Sequence, residues 1–158
     1  MKLAALFLAL ALASCARGAG SRDPGWPRWR GPNGDGVSQE TNWNPAALAG
    51  GPKVLWRAPV GVGYSNVAVD RNRVYTIGLQ DRSERIACLD ADTGREIWHY
   101  AAPGKDTTQS TPAVDGNSVY ALTKGGLLVC LNATNGRLRW QRHLVKDLGA
   151  EELGYGYA

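Results

Sequence analysis

The sequence is poor in the residues that most chemistry needs. It holds two histidines, His99 and His143, and three cysteines, Cys15, Cys88 and Cys130. No two cysteines are adjacent and no CxxC pair exists, which removes the common zinc and dithiol motifs. Lys and Arg are scattered despite a net charge of +4. Without a basic stripe interleaved with aromatics, nucleic-acid binding is not expected. The longest apolar run, Leu3 to Ala13, is too short to cross a bilayer. Asn33-Gly34-Asp35-Gly36 has the composition of a calcium loop but lacks the later bidentate Glu, so a plain turn is expected. Phe occurs once, against six Trp and six Tyr. Twenty Gly and eight Pro favour many turns and short strands.

Residues 1–14 have the pattern of an export signal, with Lys2 ahead of the apolar run. Leu12-Ala13-Ser14-Cys15 resembles the bacterial lipobox. The resemblance implies lipidation at Cys15, anchoring by acyl chains, and a cell-envelope location. Ala16 rather than Asp follows the Cys, which favours the outer membrane facing the periplasm over the inner membrane. Residues 15–51 then read as a lipid-anchored leader rich in Gly, Pro and Asn.

The rest of the chain is repetitive. The stretch from Cys88 to Trp98 aligns with that from Cys130 to Trp140, sharing Cys, Leu, Ala, Gly, Arg and Trp at an offset of 42. Trp56 lies a further 42 residues upstream of Trp98. The stretch from Val67 to Tyr75 aligns with that from Pro112 to Tyr120 at an offset of 45, so three extra residues fall near Gln80 to Ser83. A period in the low forties suits propeller blades and some helical repeats. Arg73-Val74-Tyr75-Thr76-Ile77 and Ser118-Val119-Tyr120-Ala121-Leu122 are short, β-branched and aromatic, and turn residues bound them. Four strands per unit are therefore expected: 65–70, 72–78, 84–90 and 94–101, then 110–115, 117–123, 127–132 and 136–144. Residues 53–60 are expected as a lone outer strand, and 145–158 as the start of a further unit.

The shared stretch has a mechanical reading. Gly94 and Gly136 can take a positive φ in the turn between the third and fourth strands. Asp90 and Asn132 can bind nearby amides. Small Cys88 and Cys130 leave room for a neighbour, and Trp98 and Trp140 can wedge between units. Burying one indole removes about 150–250 Å² from water, an upper bound of about 4–6 kcal/mol.

These residues resemble the tryptophan-docking motif of the pyrroloquinoline-quinone (PQQ)-like β-propeller superfamily. The motif residues are Cys88, Asp90, Thr93, Gly94 and Trp98, and more loosely Cys130, Asn132, Gly136 and Trp140, with Asn135 where Thr is usual. Trp26-Pro27-Arg28-Trp29-Arg30-Gly31-Pro32, with the residues to Ser38, resembles the leader of such propellers in exported bacterial proteins. The implied fold is all-β, with four-stranded antiparallel blades over residues 52–158. Two blades and a lone strand cannot close a ring of at least about four blades, so a piece of a longer propeller is expected. The resemblance implies one of two functions. The first is a non-enzymatic scaffold that binds an envelope protein, as in outer-membrane assembly lipoproteins, with no cofactor in this segment. The second is a quinoprotein dehydrogenase holding PQQ over calcium, often under a disulfide of adjacent cysteines.

Overall fold

The computed structural model describes residues 25–41, 44–104 and 106–157. Eight strands form two four-stranded antiparallel sheets in simple meander order. The first sheet contains β1 (Ala68–Asp70), β2 (Arg73–Gln80), β3 (Ser83–Asp90) and β4 (Glu96–Pro103). The second contains β5 (Ala113–Asp115), β6 (Ser118–Leu122), β7 (Leu127–Asn132) and β8 (Leu138–His143). A short helix, α1 (Leu144–Leu148), comes next and ends on Gly149 at φ 68°. None of the helices among the described residues is long and apolar enough to cross a membrane.

The strands arise from local chemistry. Arg71 and Asn72 both take positive φ, 48° and 61°, which makes the tight turn that pairs Asp70 with Arg73. Asp81 and Arg82 do the same at 49° and 61°, pairing Gln80 with Ser83. The extra residues of the first unit therefore lengthen a hairpin ladder instead of swelling a loop. That is why β2 and β3 each run eight residues while β6 has five and β7 six.

One core lies between the sheets. Tyr75, Ile77, Ile86, Cys88 and Trp98 from the first meet Val114, Val119, Ala121, Val129 and Leu131 from the second. Alternate residues of the first sheet, Val74, Ala87 and Leu89, face the other way and pack under Trp56, Ala58 and Val60. Strand alternation thus buries the first sheet on both faces. Residues 53–60 lie over that second face by side-chain packing and form no strand ladder among the described residues. Just beyond them, Val62 makes an isolated bridge to Leu79. Residues 145–157 contain most of α1 and turns but no strand.

The sheets converge at one side. The short strands β1 and β5 lie against each other and make the main strand-to-strand approach between the sheets. The first strand of each sheet thus marks the inner side of the fan, and the fourth strand the outer side.

Candidate functional site at the blade interface

Each sheet carries the same device between its third and fourth strands. The ladder slips by one residue after Cys88, so Cys88 pairs with Trp98 while Leu89 pairs with Glu96. It slips identically after Cys130, which pairs with Trp140 while Leu131 pairs with Leu138. A bulge of this kind adds one unpaired residue and re-aims the next side chain. Here Ile97 and Arg139 are the extra residues, and the side chains re-aimed are the two indoles.

The turn before each bulge is held by a short polar side chain. Asp90 Oδ1 accepts from the Thr93 amide at 2.9 Å and from the Thr93 hydroxyl at 2.7 Å. These bonds hold the Asp90 carboxyl below its ordinary pKa, the hydroxyl bond contributing most. Asn132 Oδ1 accepts from the amides of Thr134 at 2.8 Å and Asn135 at 3.3 Å. Gly94 and Gly136 both sit at φ +70°.

The two units join through these turns. Trp98 Nε1 donates to the Ala133 carbonyl at 3.0 Å, and the indole lies so close to Gly136 that a Cβ there would be 2.6 Å from the ring. Upstream, Trp56 Nε1 donates to the Ala91 carbonyl at 2.9 Å, and a Cβ on Gly94 would be 2.4 Å from its ring. Each glycine is thus required twice, for its left-handed backbone and for the space above it. Trp98 is buried, Trp56 half-buried, and Trp140 is 42% exposed. The Tyr75 and Trp98 rings meet tilted, with centroids 6.0 Å apart, as do those of Tyr120 and Trp140 at 6.0 Å.

Several contributors carry no signature in the sequence. The acceptors on Ala91 and Ala133 are backbone groups, and the only hint is that both positions hold Ala. Arg73 Nη1 also donates to the Ala133 and Thr134 carbonyls, at 2.6 and 3.2 Å. The equivalent position in the second unit is Ser118, so the repeat could not single it out. Burial pushes the Tyr75 phenol up to about 12 and the Cys88 thiol up to about 11. Cys88 and Cys130 are both buried and free.

At the far end of the interface lies Glu84, 1% exposed. Its Oε2 accepts from the Lys124 amide at 2.9 Å, tying β3 to the β6–β7 hairpin of the other sheet. Gly104 passes so close that a Cβ would be 2.5 Å from Oε1. Burial raises the Glu84 pKa. A cavity of about 340 Å³ opens beside it, lined also by Asp106, Lys124, Glu152 and Tyr157.

Of the remaining sequence candidates, His143 is half-buried with its Nδ1 unpartnered, and the others have ordinary surroundings. His99 Nδ1 lies 2.7 Å from Glu96, which also pairs with Arg85. The turn at Asn33 to Gly36 is closed by the Val37 amide on Asp35 Oδ1 at 2.9 Å. Cys15 lies outside the described residues. Among the described residues, His, Cys, Asp and Glu form no group of three or more that could hold a metal. Cys88 and Cys130 stand in separate sheets and are not the adjacent pair that a quinoprotein disulfide would need, and no step is derived through a quinone.

Two meander sheets, packed face to face and joined by an indole-to-turn bond that recurs one unit upstream, are consecutive blades of a PQQ-like β-propeller. The family model described as outer membrane protein assembly factor BamB matches residues 46–154, and the chain belongs to that family. BamB of Escherichia coli is 34% identical over 110 residues, which cover 61% of this chain and 27% of that protein. Tetrathionate hydrolase of Acidithiobacillus ferrooxidans is 33% identical over 67 residues, 42% of this chain and 13% of that protein. The chain therefore spans under a third of the length of either curated relative. The quinohemoprotein alcohol dehydrogenase of Comamonas testosteroni has a similar fold at TM-score 0.63 and 21% identity, over 82% of this chain and 21% of that one.

Proposed function

We propose that this chain is part of a non-enzymatic propeller that binds a protein partner in the bacterial envelope, as an assembly factor. The observation that carries the reading is the family match over residues 46–154. The geometry supports it, because the repeated polar and aromatic residues are spent on joining blades. Trp98, Gly136 and Ala133 satisfy one another, as do Trp56, Gly94 and Ala91. A fold whose motif is architectural leaves recognition to the exposed loops. Lipidation at Cys15 would hold this propeller at the outer membrane, facing the periplasm.

The experiment is depletion of the full-length protein, with outer-membrane barrel proteins quantified in the envelope fraction, beside a Cys15→Ser strain. The expected result is a fall in folded barrel proteins on depletion, and release of the Cys15→Ser form from the membrane. Quinone- and calcium-dependent reduction of a redox dye by the full-length protein would contradict the reading and favour a dehydrogenase.

A further inference from the structure

The leader leaves one feature that blade packing does not explain. Residues 25–27 are half-buried against the blades, and Gly31 is buried, although Arg28 to Arg30 between them are exposed. The Trp26 amide donates to the Val69 carbonyl at 2.8 Å, and the Val69 amide donates back to Trp26 at 2.8 Å. This bridge uses the edge of β1 that faces away from β2. One residue on, the Pro27 carbonyl accepts from the Val114 amide of β5 at 2.7 Å. The segment thus pairs, in succession, with the inner edges of both blades.

The local sequence is fitted to that position. Gly25 sits at φ +61°, and a Cβ there would be 2.6 Å from the Val69 carbonyl. Gly31, at φ +75°, is buried under the Trp26 ring, where a Cβ would be 2.7 Å away. Pro27 lacks an amide, so it offers a carbonyl to β5 without leaving a donor unpaired. The Arg28 guanidinium binds the Gly31 and Pro32 carbonyls and closes the loop behind the ring.

An unpaired inner edge is a ready template for an extended peptide. We propose that the inner edges of β1 and β5 form a peptide-binding site, and that residues 25–31 fill it as an intramolecular ligand. The ligand class is an extended segment with a small residue, an aromatic and a proline in sequence. Three backbone bonds hold the clasp, against an eight-residue ladder between β2 and β3. The clasp is therefore held by far fewer backbone bonds than the blade ladders, which leaves it open to a competing peptide. The proposal stands on this geometry and holds independently of the envelope reading.

The test uses the chain with a specific protease site placed within exposed residues 38–41. After cleavage, the excised leader is expected to co-elute with the blades, with slow hydrogen exchange at the Val69 and Val114 amides. A labelled peptide of residues 24–37 should then exchange into the site saturably, and its Trp26→Ala form should bind at least about tenfold more weakly, a loss of roughly 1.4 kcal/mol. In the uncut chain, Trp26→Ala should speed exchange at Val69 and Val114 but not at Val74 and Val119 in the same sheets. Departure of the excised leader with no change in exchange would overturn the proposal. Equal binding of both peptides would do the same, as would a uniform rise in exchange across both sheets.

Discussion

Trp98 and Gly136 stand on different blades and occupy one another's space: the indole lies where any side chain on the glycine would be. The same relation links Trp56 to Gly94. The joint is thus a shape fit, with one hydrogen bond to fix its depth. Trp98→Ala removes a buried indole and should cost about 3–5 kcal/mol in a urea melt. Trp98→Phe keeps part of the ring but leaves the Ala133 carbonyl with one donor fewer, and should lose less.

A pair of glycine variants separates backbone strain from the fit. Gly116 has φ +55° and open space around its would-be Cβ, whereas Gly136 has φ +70° and the Trp98 ring. Gly116→Ala should cost about 1–2 kcal/mol from left-handed strain. Gly136→Ala should cost that plus about 1–3 kcal/mol of overpacking. Equal losses in the two melts would mean that the indole is not seated on the turn.

Arg73 reaches across the interface to two carbonyls that lie at the docked turn. Arg73→Met keeps much of the stem and removes the charged donors. A loss of about 1.5–3 kcal/mol is expected, coupled to Trp98, since both donate to Ala133. A double-mutant cycle in denaturant checks this, with additivity as the contrary result.

Glu84 and Asp90 have opposite pH signatures. The folded pKa of Glu84 is raised by burial, so the folded state holds its proton more tightly than the unfolded chain. Its contribution favours the acid side and is lost as pH rises from the ordinary carboxylate value through the folded one. Glu84→Gln keeps an acceptor for the Lys124 amide and should be as stable or more stable at neutral pH, with a flatter pH profile. Glu84→Ala should be less stable, because that buried amide loses its partner. The folded pKa of Asp90 is lowered by Thr93, so its contribution is present above the ordinary value and lost as pH falls through the folded one. Asp90→Asn imitates Asn132 and should remove that acid sensitivity. Stability measured across pH for the three variants checks both signs.

The strands and turns were legible because their signals are local. The Val74-Tyr75 and Val119-Tyr120 strands, Asn and Gly turns, and the aligned cysteines and tryptophans set the sheet order and the register of one unit on the other. Less legible was whatever depended on distant backbone. The carbonyls of Ala91 and Ala133 have no residue type to mark them. Glu84 reads as an ordinary surface carboxylate until the other blade's hairpin closes over it. The three extra residues near Asp81 suggest a longer loop, yet a two-residue turn makes them a longer ladder. Residues 53–60 have the alternation of a strand, but pairing needs a neighbour, and here only a face is offered. The inner-edge pairing of Trp26 and Pro27 was hidden for the same reason: its partners are 43 and 87 residues away.

Indole N–H exchange, tracked by ¹⁵N NMR, tests the docked interface most directly. Trp56 and Trp98 should exchange slowly, since each donates to a carbonyl of the next turn, while Trp29, 62% exposed, sets the fast reference within the same chain. Exchange at Trp56 and Trp98 as fast as at Trp29 would contradict it.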